Sequence, residues 1–249
     1  MAVRIDLLDQ IARRVSNYHV RPEVVYDYAN IRQRLIFEAL TQGVQYVCNN
    51  PVPGDVAEFG TGLGFSTFSI AKALGAYHEI FADRLRGAPP KKLYLFDSFE
   101  GLPAATDPVD AGSPTVKSGR WGAGVYKGLT AEEVAELCAS VYDRAQVKVV
   151  PGWFSRTLRQ IPPMTQFAMV HLDCDLYAST AEVLDYLFGQ KLVGDGCALF
   201  FDDWNCNRSS PRFGQRRAWQ ETVGKYNLEY SDCGDYAVLS HKFIVHTDR

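Results

Sequence analysis

The apolar positions of the chain change rhythm near residue 50. Upstream they recur at helical spacing. Ile5, Leu8, Ile11, Ala12 and Val15 predict a helix over 4–17. Ile31, Leu35, Ala39 and Val47 help make the stripe of a second over about 22–47, with Pro22 suited to its first turn. The string Asn49-Asn50-Pro51-Val52-Pro53-Gly54 then ends the helix and forces a turn. Downstream come short, largely apolar runs at 56–59, 93–96, 147–150, 167–172 and 198–201. Bounded mostly by Gly, Pro or Asp, they have the look of strands buried on both faces. Helical stretches at 65–85, 131–144 and 179–192 separate them. Such alternation implies right-handed crossovers and an α/β fold built on a doubly wound, mostly parallel sheet. Residues 237–239 and 242–245 predict one or two further edge strands.

One stretch has no period. Residues 101–128 carry Pro103, Pro108 and Pro114, with glycines at 112, 119, 122, 124 and 128 that are expected to be exposed. A run this long reads either as a mobile surface excursion or as a lid, with Trp121 and Tyr126 offering flat faces to a substrate.

Composition narrows the classes. The 249 residues, 47% hydrophobic and 22% charged, have ordinary globular usage and can bury one sizeable core. The net charge of −3 argues against a nucleic-acid surface, which needs clustered cations. No apolar run reaches the length of a membrane span. Asp6, Asp9, Arg13 and Arg14 stand where an export signal would need apolar residues. The six cysteines, at 48, 138, 174, 197, 206 and 233, have no paired spacing and read as reduced thiols of a cytoplasmic protein.

Ligands of an open parallel sheet bind beyond the carboxyl ends of its strands, so those ends hold the chemistry. The first strand opens into Gly60-Thr61-Gly62-Leu63-Gly64 and then a helix. The glycines permit a tight turn, and the helix start offers N–H groups to an anion. Phe65 takes the place of the third glycine of a dinucleotide fingerprint, which argues against NAD. The second strand delivers Asp97, able to accept the hydroxyls of a ribose or to cap a turn. The third ends at Pro151-Gly152-Trp153-Phe154, whose aromatics suit an adenine wall or buried packing. The fourth delivers Asp173-Cys174-Asp175 and the fifth Asp202-Asp203. Any one of these acids reads as a helix cap or turn former. Four converging carboxylates repel one another at a cost that burial raises. A divalent cation removes the conflict, and an all-oxygen donor set selects Mg²⁺ over Zn²⁺. His171 alternates onto the same face as Asp173 but deeper, which fits a hydrogen-bonded structural histidine better than a base. Cys174 alternates away and reads as a packing thiol. His241 and His246 receive no role.

The strings FDSFEGLP (96–103), GWFSRTL (152–158), HLDCDLYAST (171–180) and FDDWN (201–205), with a looser GQRRAWQ (214–220), resemble the macrocin O-methyltransferase family. The matches run in family order over about 56–220, and FDSFEGLP and the distant aspartate strings are the specific ones. The resemblance implies a seven-stranded Rossmann-like methyltransferase sheet with N-terminal helices. It implies one domain over 1–249, with a helical extension over 1–50 and a lid loop over 102–128. It implies S-adenosylmethionine and Mg²⁺ as cofactors, a sugar hydroxyl of a small-molecule glycoside as acceptor, and a homo-oligomer without nucleic-acid or membrane partners. By position, Asp173, Asp202 and Asp203 fall on the metal ligands and Asp175 on the general base. Glu58, Gly60, Thr61, Ser66, Thr67, Asp97, Ser98, Trp153 and Phe154 fall on the cofactor side. Trp204 stands where the family often has Tyr, and is expected to reshape the acceptor pocket. The rival readings are a catechol-type O-methyltransferase, a non-catalytic S-adenosylmethionine-binding protein and, last, an NAD oxidoreductase.

Overall fold

The computed structural model describes residues 22–81 and 89–247. The helix predicted over 4–17 and the end of the one predicted over 65–85 lie outside them. Seven strands form one sheet in the order β3-β2-β1-β4-β5-β7-β6. They are β1 (Asp55–Phe59), β2 (Leu93–Asp97), β3 (Val147–Pro151), β4 (Phe167–Leu172), β5 (Val193–Phe201), β6 (Glu229–Ala237) and β7 (Ser240–His246). The first five pair in parallel, and β7 runs antiparallel to both β5 and β6.

Residue alternation splits the core into two layers. On one face Val56, Leu95 and Met169 pack with Ile36, Leu40 and Val44 of α1 (Pro22–Asn49), Ile70 and Leu74 of α2 (Phe65–Phe81), and Val134 and Cys138 of α5 (Ala131–Ala139). On the other, Phe59, Val170 and Phe201 pack with Val183, Leu184 and Leu187 of α7 (Tyr177–Gly189) and Trp219 of α8 (Gly214–Tyr226). Among the described residues no helix is long and apolar enough to cross a membrane.

Four expectations change. β7 is not an edge, since β5 and β6 flank it, and the edge on that side is β6, which ends at Ala237 where the sequence predicts a strand over 237–239. β5 begins five residues before the predicted run, because Gly194-Asp195-Gly196 interrupts its apolar pattern. There the pairing with β4 slips from Phe167↔Val193 to Met169↔Ala198, with Gly196 at φ 77°. The helix predicted to reach residue 144 stops at Ala139, and Asp143 caps a separate 3₁₀ turn, Arg144–Gln146.

The fourth change concerns residues 101–128, which carry secondary structure of their own. They hold two short helices, α3 (Pro108–Gly112) and α4 (Pro114–Lys117). Each has proline in its first turn and a side-chain cap, from Asp107 and Ser113 respectively. Leu102 N–H donates to Val125 O at 2.9 Å, and Gly124 N–H returns a bond of 2.9 Å to Leu102 O. Thr115 N–H donates to Asn207 Oδ1 at 3.0 Å. Gly112, Gly122 and Gly128 are half-buried rather than exposed. A Cβ on Gly128 would lie 1.8 Å from Gly62 O, so the segment is seated on the glycine turn itself. The remaining α-helix among the described residues is the single turn α6 (Phe154–Thr157), after β3.

Candidate active site

A cavity of about 980 Å³ opens at the carboxyl ends of β1 to β5. Its floor is the glycine turn. Gly60 has φ 93°, and a Cβ there would sit 2.0 Å from Asp173 O, so only glycine lets the two strand ends meet. Asp97 holds this turn from the side. Its Oδ2 accepts from Thr61 N at 2.6 Å, Thr61 Oγ1 at 3.1 Å and Gly62 N at 3.3 Å, and its Oδ1 accepts from Phe99 N at 2.6 Å. The ribose-binding expectation for Asp97 thus meets a carboxylate already engaged by backbone. Ser98 Oγ is likewise used locally, donating to Gly101 O at 2.9 Å. Gly60, Thr61, Ser66, Asp97, Ser98, Trp153 and Phe154 line the cavity. Glu58 and Thr67 do not. Both are fully buried behind the turn, where Glu58 accepts from Thr67 Oγ1 and lies 3.0 Å from His171 Nδ1. They brace the floor rather than touch its contents, and His171 is the structural histidine the alternation suggests.

The acids gather at the ends of β4 and β5. Carboxylate oxygens of Asp173, Asp202 and Asp203 lie within 4.8 Å of one another. Burial, then repulsion from Asp202 and Asp203, raises Asp173 well above the usual carboxylate range. Asp203 is pushed up to about 6, again by burial first and Asp202 second. Burial and the same two neighbours raise Asp175. Asp203 Oδ1 accepts from Cys206 Sγ at 3.3 Å, whereas its Oδ2 is buried and has no partner. Three acids this close, one with a buried and unsatisfied oxygen, form an all-oxygen set that can hold a hard cation. Asp175 stands beside this trio with φ 57°, a left-handed conformation that Asp tolerates better than most residues.

Several residues that contact the acids escape the sequence reading. Arg32, from α1, forms an ion pair with Asp202 inside the cavity. Gln215 bridges the two acid-bearing strands, accepting from Asp203 N at 2.9 Å and donating to Leu172 O at 3.0 Å. Ser240 Oγ lies 3.1 Å from Asp202 Oδ1 and 2.8 Å from Asp202 O. Gln215 falls in the GQRRAWQ string, a signal present but without an assigned role. Arg32 and Ser240 carry no local signal. Trp204 corrects an expectation: it turns away from the cavity. It is 6% exposed, stacks on His241 at 5.1 Å and takes the Arg216 guanidinium at 4.8 Å. Trp121 is buried at the cavity wall, and Tyr126 is exposed at its rim.

Comparison with known proteins agrees with this arrangement. The 4'-O-methyltransferase for 8-demethyl-8-(2,3-dimethoxy-α-L-rhamnosyl)-tetracenomycin C of Streptomyces olivaceus is 28% identical over 188 residues, 74% of this chain and 64% of its own length. The demethyldecarbamoylnovobiocin O-methyltransferase of Streptomyces niveus is 31% identical over 159 residues, 63% of this chain and 56% of its own. The match thus covers less than two thirds of either relative. The solved O-methyltransferase NovP superposes with a TM-score of 0.66 at 25% identity, covering 86% of this chain and 80% of that one. The family model described as macrocin-O-methyltransferase (TylF) matches residues 10–225, and the chain belongs to that family.

Proposed function

We propose that the protein methylates a sugar hydroxyl of a glycosylated natural product, using S-adenosylmethionine and Mg²⁺. The carrying observation is the unpartnered Oδ2 of Asp203, set among three acids in the same cavity as the glycine turn. S-adenosylmethionine supplies an electrophilic methyl on a sulfonium and leaves as S-adenosylhomocysteine, while Mg²⁺ supplies a Lewis acid that eases loss of the hydroxyl proton. Asp173, Asp202 and Asp203 would hold the ion. The turn of Gly60 and Thr61, with Ser66, Asp97 and Ser98, would hold the nucleoside, and Trp153 and Phe154 would wall its base. Glu58 and Thr67 would keep that turn in shape from behind. Asp175 accepts the hydroxyl proton on its carboxylate. A module that only bound a nucleoside would gain nothing from crowding four carboxylates. We read residues 102–128 as the fixed outer wall of the acceptor side. The six free thiols support a cytoplasmic protein. A homo-oligomer is part of the same reading, and light scattering tests it.

Thermal unfolding with and without S-adenosylhomocysteine, each with and without Mg²⁺, tests the proposal. Ligand at 100 times its Kd adds ~2.7 kcal/mol, a midpoint rise of roughly 5–10 °C for a chain of this size. The expected result is a rise with the nucleoside and a further rise with Mg²⁺. No rise with the nucleoside overturns the reading.

A further inference from the structure

Asp173, Asp175, Asp202 and Asp203 bring four acids to the cavity from the ends of β4 and β5, whereas residues 101–128 bring it cations. Between residues 111 and 131 the chain carries Lys117, Arg120 and Lys127 and no acid, although its net charge is −3. Arg120 and Lys127 both line the cavity. Neither makes a hydrogen bond or ion pair with another described residue.

These cations sit on a fixed backbone. Leu129 N–H donates to Gly62 O at 3.0 Å just beyond Lys127, and the Leu102–Val125 pair closes the segment just before it. Trp121, 3% exposed, anchors the chain next to Arg120. Both side chains are exposed at the mouth of the cavity, and a charge-assisted bond to an oxyanion is among the stronger polar contacts. The donor's sulfonium is itself a cation and gains nothing from them.

We propose that Arg120 and Lys127 form an oxyanion subsite, so that the acceptor is a glycoside carrying a phosphate or carboxylate outside the ring to be methylated. This inference rests on the methyltransferase reading above. Two sources share the chemistry, a phosphate on the sugar and an acid on the aglycone, and the probes separate them.

The experiment is titration calorimetry on the full chain saturated with S-adenosylhomocysteine and Mg²⁺. The probes are glucose 1-phosphate, 4-carboxyphenyl β-glucoside and, as neutral control, phenyl β-glucoside. At least one charged probe is expected to bind tenfold or more tighter than the control. That advantage should shrink as salt rises and vanish in Arg120→Gln/Lys127→Gln, while the affinity for S-adenosylhomocysteine stays within twofold. Equal binding of charged and neutral probes, or an advantage that survives the double substitution, overturns the subsite. So does loss of S-adenosylhomocysteine binding in the double variant, which would assign the cations to the donor's own carboxylate. If the unaltered protein does not bind S-adenosylhomocysteine at all, the methyltransferase reading itself has failed.

Discussion

The carboxylate of Asp110 caps a helix that begins 67 residues further along the chain. Its Oδ1 accepts from Tyr177 N at 2.8 Å and its Oδ2 from Ala178 N at 3.0 Å. Residue Leu176, at the N-cap of α7, provides no side-chain bond of its own. Asp110 therefore satisfies two orphan donors from outside, and it does so two residues after Asp175. Asp110→Ala removes both bonds. By analogy with lost caps, a cost of about 1–2 kcal/mol is expected. Chemical denaturation checks this, and an unchanged midpoint would refute it.

Asp175→Asn keeps the shape and removes the proton acceptor. Asn also tolerates the left-handed φ of 57° at this position, so the backbone should persist. Turnover is expected to drop ~10²–10⁴-fold, the usual share of a general base. S-adenosylhomocysteine affinity should stay within twofold. Near-normal turnover, measured with any accepted glycoside, would take Asp175 out of the mechanism.

Gln215 touches no ligand of its own, yet it ties Asp203 to the end of β4. Gln215→Leu leaves the Asp203 N–H without its partner and the Leu172 carbonyl with only the Asp202 N–H. Losing such support costs about 10–100-fold in metal affinity. Mg²⁺ titration of the variant reads this directly, and S-adenosylhomocysteine binding serves as the control.

The acids also predict a pH response. With its folded pKa raised from 3.8 to about 6, Asp203 contributes stability that is complete below 3.8 and lost as the pH climbs through about 6. Asp173 and Asp175 shift in the same direction. In EDTA the melting temperature should fall between pH 5 and pH 8 by more than it does in Mg²⁺. Parallel curves in the two buffers would contradict the metal assignment.

The strands were legible because each is a short apolar run closed by Gly, Pro or Asp, and the acids because they stand at the ends of such runs. Asp173, Asp202 and Asp203 come together as their places at neighbouring strand ends imply. Arg32, Asp110, Gln215 and Ser240 were not legible as site residues. Each reaches the site from an element distant in sequence, and a long-range contact leaves no local period. The helices α3 and α4 span only five and four residues, too few to show a helical repeat. Their cap-and-proline pairs, Asp107-Pro108 and Ser113-Pro114, were the visible signal. Trp204 misled because a departure from the family pattern beside two ligands suggested a pocket role. The turn after β5 carries it instead into the aromatic layer with Phe201, Trp219 and Phe243.

The close approach of Gly60 to Asp173 fuses the donor floor and the acid cluster into one block. Neither half can be redesigned alone, since any side chain at Gly60 would displace the strand that carries Asp173. Room for change lies in the other walls of the cavity, α1 and residues 101–128, which meet the contents without carrying the acids. A mutational library aimed at new acceptors is best confined to those two segments, with the block itself left untouched.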